Sequence, residues 1–298
     1  MKCNKTNKKR HTIVEVNRLK KADYMPRTDF ADEVITSIGE FEHYNRIEKK
    51  MPNMKMNWVK VFNDENEFKK QKGDYITLEY KQMDDALLRD GISEEVVNCL
   101  DQLTSEIVVN KVLVVGLGNK EMISDAIGPK TAEQILVTAH LFENHQDVGD
   151  GVSNCAAIAP KVMGQTGLES ARIVKGVVDF YQPDLLITVD ALATNTLSRI
   201  NRVVQISNTG IVPGSGVGNH RLAINHETMQ VPVIAIGVAT VTTIGAIVHD
   251  VLNEECELKH DQLDCIVTPR SMDLECDQIA SILSKSINCF IHPDYESM

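Results

Sequence analysis

Two uninterrupted apolar runs, each followed by an acidic residue, constrain this chain more than any other feature. Lys111-Val-Leu-Val-Val-Gly116 continues through Leu117, Gly118 and Asn119 to Asp125, and Leu185-Leu-Ile-Thr-Val189 leads directly into Asp190. Aliphatic and β-branched residues without polar alternation suit strands covered on both faces, as in a parallel sheet sandwiched by helices. In open α/β folds, ligands bind outside the carboxyl ends of such strands. Asp125 and Asp190 are therefore expected at the lip of a sheet, Asp190 closing its strand. Two carboxylates brought together there can share a proton and activate water, as hydrolases require.

The flanking segments fit that architecture. Trp58–Phe62 and Asp74–Glu79 alternate like strands at a sheet edge, with Lys72-Gly73-Asp74 as a turn. Helical spacing runs over Asp84–Leu103, Gly128–Phe142, Gly167–Tyr181, Thr240–Leu252 and Leu274–Asn288, with a polar loop at His145–Ser153. Arg202–Ser207 and Val231–Gly237 supply further strands, and residues 1–30 read as extended. Strands alternating with helices predict an α/β fold. Its central sheet is mostly parallel, phosphorylase/hydrolase-like, with helices on both faces and additional peripheral β-strands.

Charge divides the chain unevenly. Residues 1–29 hold nine Lys/Arg against Glu15, Asp23 and Asp29, while 22 of the 31 basic and 39 of the 42 acidic residues lie beyond them. A basic leader on an acidic body either docks on its own domain or is a solvated tail. The leader has no secretory h-region, since Ile13-Val14 is broken by Glu15. No apolar run reaches membrane-spanning length. Cys3, Cys99, Cys155, Cys256, Cys265, Cys276 and Cys289 contain no C-x-x-C spacing, which argues against a zinc site or disulfide framework and fits free thiols in a reducing cytoplasm. No basic, aromatic-rich face points to nucleic acid.

Several motifs admit two readings. Gly116-Leu-Gly118-Asn119 is half of a dinucleotide fingerprint, but Glu121 stands where the third glycine belongs, so the glycines serve a tight turn whose amides face a ligand. Asp125 near a helix start is also what the helix dipole favours. Asp190 after an apolar strand must be solvated, paired or functional, and Thr194, Asn195 and Thr196 are positioned to orient it. The stretch Asn208–Asn219 carries Gly210, Gly214, Gly216 and Gly218 without a P-loop ending. It suits backbone contact with an extended peptide, or a flexible connector. His220 after it is a surface histidine or a metal ligand. Met163–Gly167 reads as a tight turn before a helix. Gly-x-Ser-x-Gly and His-Glu-x-x-His are both absent, which removes serine-hydrolase and zincin readings.

On these residues the chain resembles the germination endopeptidase (spore protease) family of spore-forming bacteria, from about Pro26 to Pro293. The resemblance is densest in Gly116–Pro129, Met163–Lys175, Asp184–Thr196, Gly210–Asn219 and Val233–Thr243. It implies an atypical aspartic-type peptidase whose two essential aspartates match Asp125 and Asp190, without a cofactor or metal. Gly118, Asn119, Gly214, Gly216 and Gly218 are the expected substrate-binding positions. It further implies small acid-soluble spore proteins as substrates, a homotetramer, a cytoplasmic location in the forespore or spore core, and a fold similar to hydrogenase maturation proteases. Family members are zymogens that cut themselves at an acid–large apolar–Ala site. Arg27-Thr-Asp29-Phe30-Ala31 matches it, so residues 1–29 are expected to be a basic propeptide cut between Asp29 and Phe30, and residues 30–298 a single catalytic domain. The alternatives are a metal-dependent protease using Asp125, Asp190 and His220, and a non-catalytic peptide-binding protein.

Overall fold

Val112, Leu113, Val114 and Val115 are all fully buried, as a strand covered on both faces should be. The computed structural model describes residues 18–20, 27–38, 43–66, 69–81, 83, 85–146, 148–149, 151–213, 222–251, 257–259 and 262–293. In chain order the first half forms β1 (Arg18–Lys20), α1 (Ala31–Ile38), β2 (Tyr44–Met51), β3 (Met54–Val61), β4 (Gly73–Tyr80), α2 (Ala86–Thr104), β5 (Lys111–Gly116), α3 (Ile127–Ala132), α4 (Ala139–Glu143) and β6 (Asn154–Ile158). The second half adds α5 (Met163–Thr166), α6 (Ser170–Tyr181), β7 (Leu185–Ala193), β8 (Val203–Ser207), α7 (His226–Met229), β9 (Val233–Thr243), α8 (Ile244–Val251), β10 (Glu257–Lys259), β11 (Ile266–Val267) and α9 (Met272–Ile291).

The main sheet has the order β2-β3-β4-β8-β9-β7-β5-β6, with β11 added to β9. Its β9-β7-β5-β6 half is parallel throughout. The β2-β3-β4-β8 half and the β8–β9 seam are antiparallel. The expected parallel α/β core is thus four strands wide, and the peripheral strands extend it as an antiparallel wing. Alternate residues of each strand serve opposite faces. Val112, Val114, Leu185, Ile187 and Val189 pack with Ile92, Val96 and Leu100 of α2 and Ile279 and Leu283 of α9. Leu113, Val115 and Leu186 pack with Ala171, Val174 and Val178 of α6. Helices therefore cover both faces, and Asp190 shares the parity of Leu186, so it belongs to the α6 side.

Three expectations shift in detail. The helical pattern 128–142 breaks into α3 and α4 because the chain between them bonds elsewhere. The Leu136 amide donates to Asn288 Oδ1 of α9 (2.9 Å), and Thr138 exchanges main-chain and side-chain bonds with Ser153 and Cys155 beside β6. β9 carries on through Thr243, and helix α8 starts only at Ile244, since Val238–Thr243 is rich in β-branched residues that fit a strand better than a helix. β7 likewise continues past Asp190 to Ala193, paired with β9 across a register shift. Asp190 thus lies inside its strand and does not close it. β2 is exposed along nearly its whole length. No apolar alternation marks it, and its Arg46, Glu48, Lys49 and Lys50 protect an edge strand from pairing with other molecules.

The buried thiols of Cys99 and Cys155 are pushed up to about 12 by burial, so they behave as inert core residues. β1 pairs antiparallel with β10, Leu19 opposite Leu258, so part of the basic leader is joined to the body. Among the described residues no helix is long and apolar enough to cross a membrane.

Helix α3 approaches the sheet where side chains are missing. A Cβ on Gly128 would meet Leu117 O at 2.2 Å and Val189 O at 2.4 Å, and one on Gly116 would meet Gly128 O at 2.1 Å. Gly128→Ala is expected to lower the urea unfolding free energy by about 1–3 kcal/mol through overpacking. Gly176→Ala, in α6 where nothing lies within 4 Å, should instead raise it by about 0.5–1 kcal/mol. Equal effects at the two positions would contradict this packing.

Candidate active site

Asp125 is carried by a short turn that the end of β5 launches. Leu117 N–H donates to Val189 O (2.8 Å), tying the end of β5 to β7 one residue before Asp190. The chain then reverses at Gly118, whose φ of +111° is a conformation that L side chains rarely adopt. A Cβ there would also strike Asp125 O at 2.2 Å and approach its Oδ1 at 2.9 Å. The Asn119 N–H closes the loop, donating to Asp125 O (3.0 Å) and Asp125 Oδ2 (2.9 Å). A single 3-10 turn, Ile123–Asp125, then presents the carboxylate just before α3. The Asn119 Oδ1 accepts from Gln165 Nε2 (3.0 Å) and the Glu121 N–H (3.1 Å).

Asp190 is 6% exposed and lies opposite Gly237 of β9. Its Oδ1 accepts from the Ala191 N–H at 2.9 Å. A Cβ on Gly237 would run into the Leu192 side chain, at 2.1 Å from Cδ1. The two aspartates line one cavity of about 640 Å³, together with Gly118, Asn119, Ser124 and Ala191. Its remaining walls include Leu117, Val162, Leu192, Val212, Pro213 and Val241, so an apolar group can lie beside the carboxylates. A hydrolytic site needs that combination, acid groups facing a space with apolar sides. Of the expected substrate-binding positions, Gly118 and Asn119 line the cavity, while Gly214, Gly216, Gly218 and also His220 lie outside the described residues. Among the described residues no group of three His, Cys, Asp or Glu side chains is arranged to hold a metal ion.

Asp29, the residue before Phe30, lines the same cavity. Asp29 N–H donates to Ala193 O (2.9 Å), and the Ala193 N–H returns a bond to Asp29 Oδ2 (2.8 Å). The Asp29 carbonyl accepts from Lys70 Nζ at 2.6 Å. Burial holds the Lys70 ammonium below its ordinary range, against the opposing pull of Asp29, Asp32 and Glu33. Phe30 is fully buried against Leu192, Val203 and Ala239, with the Arg199 guanidinium 5.0 Å from its ring centre. Ala31 N–H donates to Gln205 Oε1 at 2.8 Å. Ala193 is three residues past Asp190, roughly 10 Å along a strand rising about 3.3 Å per residue.

A buried ionic cluster anchors this segment, and nothing in the apolar patterning announced it. Arg199 bonds Asp32 through Nη2 (2.9 Å) and Nη1 (3.3 Å), and Glu33 through Nη1 (2.7 Å), with all three residues buried. Burial works against the guanidinium charge, but the two carboxylates outweigh it and push its pKa up. Thr194 and Asn195, expected to orient Asp190, instead donate to Glu33, through Thr194 Oγ1 (2.5 Å) and Asn195 N–H (3.0 Å). Thr28 Oγ1 also donates to Glu33 Oε2. The available signal was local: adjacent acids right after the acid–apolar–Ala site, and an arginine downstream of Asp190.

The sequence matches the family model described as Germination protease over residues 32–261. It is 39% identical to a germination protease of Caldanaerobacter subterraneus subsp. tengcongensis, covering 80% of this chain and 85% of the relative. It is 35% identical to a germination protease of Clostridium tetani, covering 91% and 96%. A NiFe hydrogenase maturation protease, HycI from Thermococcus kodakarensis KOD1, superposes with a TM-score of 0.36 at 16% identity, over 63% of this chain and 98% of that one.

Removing the guanidinium would strand two buried carboxylates. Arg199→Met is expected to cost about 3–5 kcal/mol in chemical denaturation. Arg199→Lys should recover only part of it, because one ammonium cannot reproduce the forked contact with both acids. A neutral Arg199→Met would mean that the cluster is solvated.

Proposed function

This chain belongs to the germination protease family, and we propose that it is an endopeptidase of spore germination whose water is activated by Asp125 and Asp190. Protease activity follows from the family; the aspartate pair is our reading of this chain. Its support is a single geometric fact: side chains 65 positions apart in sequence face one cavity, held there by β5 and β7. In the proposed step, one carboxylate takes a proton from water as it attacks the peptide carbonyl. The other, protonated, polarises the carbonyl oxygen and then donates to the leaving nitrogen. Such a division of roles is what closely placed carboxylates sharing one proton supply. No step needs a cofactor or a metal. The Asn119 amide is already engaged with Asp125, so it orients the carboxylate and is not the oxyanion donor.

The substrates in this proposal are small acid-soluble spore proteins, cut after an acidic residue followed by a large apolar one and Ala. The apolar cavity walls beside the two acids are in keeping with that pattern. The chain is further proposed to be a zymogen that removes residues 1–29 by cutting Asp29–Phe30. The leader carries the excess of basic residues, and its Arg18–Lys20 strand pairs with β10 of the acidic body. Asp29 bonds Ala193 at the end of the cavity, and Phe30 is buried. The segment must therefore leave this seat before water and both acids can reach the bond. A homotetramer in the cytoplasm of the forespore or spore core completes the proposal and rests on the family resemblance alone.

Incubating the purified full chain should generate a new amino terminus at Phe30, read by terminal sequencing or intact mass. Asp125→Asn and Asp190→Asn should each slow both self-processing and cleavage of an added peptide by roughly 10²–10⁴-fold. Wild-type rates in either variant would eliminate the carboxylate-pair mechanism.

A further inference from the structure

Asp125 and Asp190 lie on different segments, and their separation must be fixed by something both segments touch. β9 is that common element. It pairs with β7 so that Gly237 lies opposite Asp190. Three residues on, the fully buried Thr240 donates its hydroxyl to Ser124 O at 2.7 Å. Ser124 immediately precedes Asp125 in the 3-10 turn. On its outer side Met122 is 56% and Ile123 48% exposed, and the turn's apolar anchors are Ala126 and Ile127, which follow Asp125 into the core. Thr240 is itself braced, since its carbonyl accepts from Thr268 Oγ1 (2.9 Å). β11 pairs with the last two residues of β9, Val267 lying opposite Thr242 and Ile266 opposite Thr243.

We propose that the Thr240 hydroxyl is a positioning group that sets the spacing of Asp125 from Asp190. It does so through the backbone of Ser124 and touches neither substrate nor water. The Asn119 amide fixes the direction of the Asp125 carboxylate within its loop, and Thr240 fixes where that loop stands relative to the sheet. A shift of the turn by about 1 Å is enough to cost on the order of 10²-fold in rate, because reacting groups must lie within a narrow range of distance and angle. The inference rests on the aspartate-pair reading above.

The test compares Thr240→Val, which keeps the shape and β-branching but removes the donor, with Thr240→Ser, which keeps the donor. Both are made in the full-length chain. The readouts are self-processing, kcat and KM on a peptide spanning Tyr24–Ile35, the pH profile of kcat, and the urea midpoint. Thr240→Val is expected to lower kcat roughly 10–100-fold with KM within about twofold. Thr240→Ser should return kcat to within about threefold of wild type. Carboxylates moved apart also couple less, so the two limbs of the kcat–pH profile should draw closer in Thr240→Val. Loss of packing alone would shift the urea midpoint and leave the width of that profile unchanged. Should Thr240→Val not fold, Thr240→Ala removes the same donor and is carried through the same measurements. Wild-type kcat in the donor-less variant, or a Thr240→Ser as slow as Thr240→Val, overturns the proposal. Asp190→Asn separates the two levels: an active Asp190→Asn sinks the aspartate reading itself. An inactive Asp190→Asn beside a fully active Thr240→Val sinks only the role of Thr240.

Discussion

The site depends on the close contact of α3 with the ends of β5 and β7. Gly116 and Gly128 let backbone meet backbone there, with no room for a Cβ at either position. That approach places Leu117 against Val189 and starts the reversal at Gly118. The reversal in turn brings the Asn119 amide onto Asp125. Each step is a main-chain event, and glycine is required because space is lacking, or φ is positive, or both. The carboxylates are not what holds this corner together. They are held by a frame whose energy comes from the aliphatic layers on either side of the sheet.

A second frame lies past Asp190 on the same strand. Ala193 binds Asp29, and Thr194 and Asn195 bind Glu33, which shares Arg199 with Asp32. Buried ion pairs of this kind contribute little net stability over an apolar replacement, although breaking one is costly. Their value here is positional. Arg199 bonds both acids at once, and those bonds hold the chain where it leaves Phe30. The apolar seat of Phe30 alone would tolerate sliding.

What was legible in the sequence was whatever periodicity and glycine chemistry carry. The runs at 112–115 and 185–189 announced buried parallel strands, and the Gly-x-Gly-Asn turn announced a loop facing a cavity that Gly118 and Asn119 do line. Patterns failed where tertiary bonds overrode them. The helix pattern 128–142 contains the weak helix formers Ile135, Val137 and Thr138, and between α3 and α4 the Leu136 amide bonds Asn288 of α9 while Thr138 bonds Cys155 of β6. Val238–Thr243 has no polar alternation, so strand and helix could not be told apart until β7 and β11 supplied partners on either side. Asp190 looked like a strand terminus because a charge ended the apolar run, yet the strand continues since its carboxylate faces a cavity. The Arg199 cluster joins residues 166 and 167 positions apart, and no local pattern reports such a contact.

The two frames meet in β7, and this bears on how a leader and a catalytic centre communicate. Asp190 and Ala193 are three residues apart on one strand, and β9 pairs with both, across a register shift between Leu192 and Ala193. The segment at Ala193 is held by polar contacts with Lys70, Gln205 and Arg199, each reaching in from outside β7. Lys70 and Arg199 lie outside the strands and Gln205 uses its side chain from β8, so in the proposed processing the release of Asp29 removes no β7–β9 backbone bond. The cavity gains an open strand edge at Ala193 while the carboxylate frame stays as it was. In the proposed zymogen the leader would act by occupying space and hydrogen-bonding groups, with no need to distort the aspartates. On the proposed reading, the placement of Asp125 and Asp190 is the same before and after processing, and access is what changes.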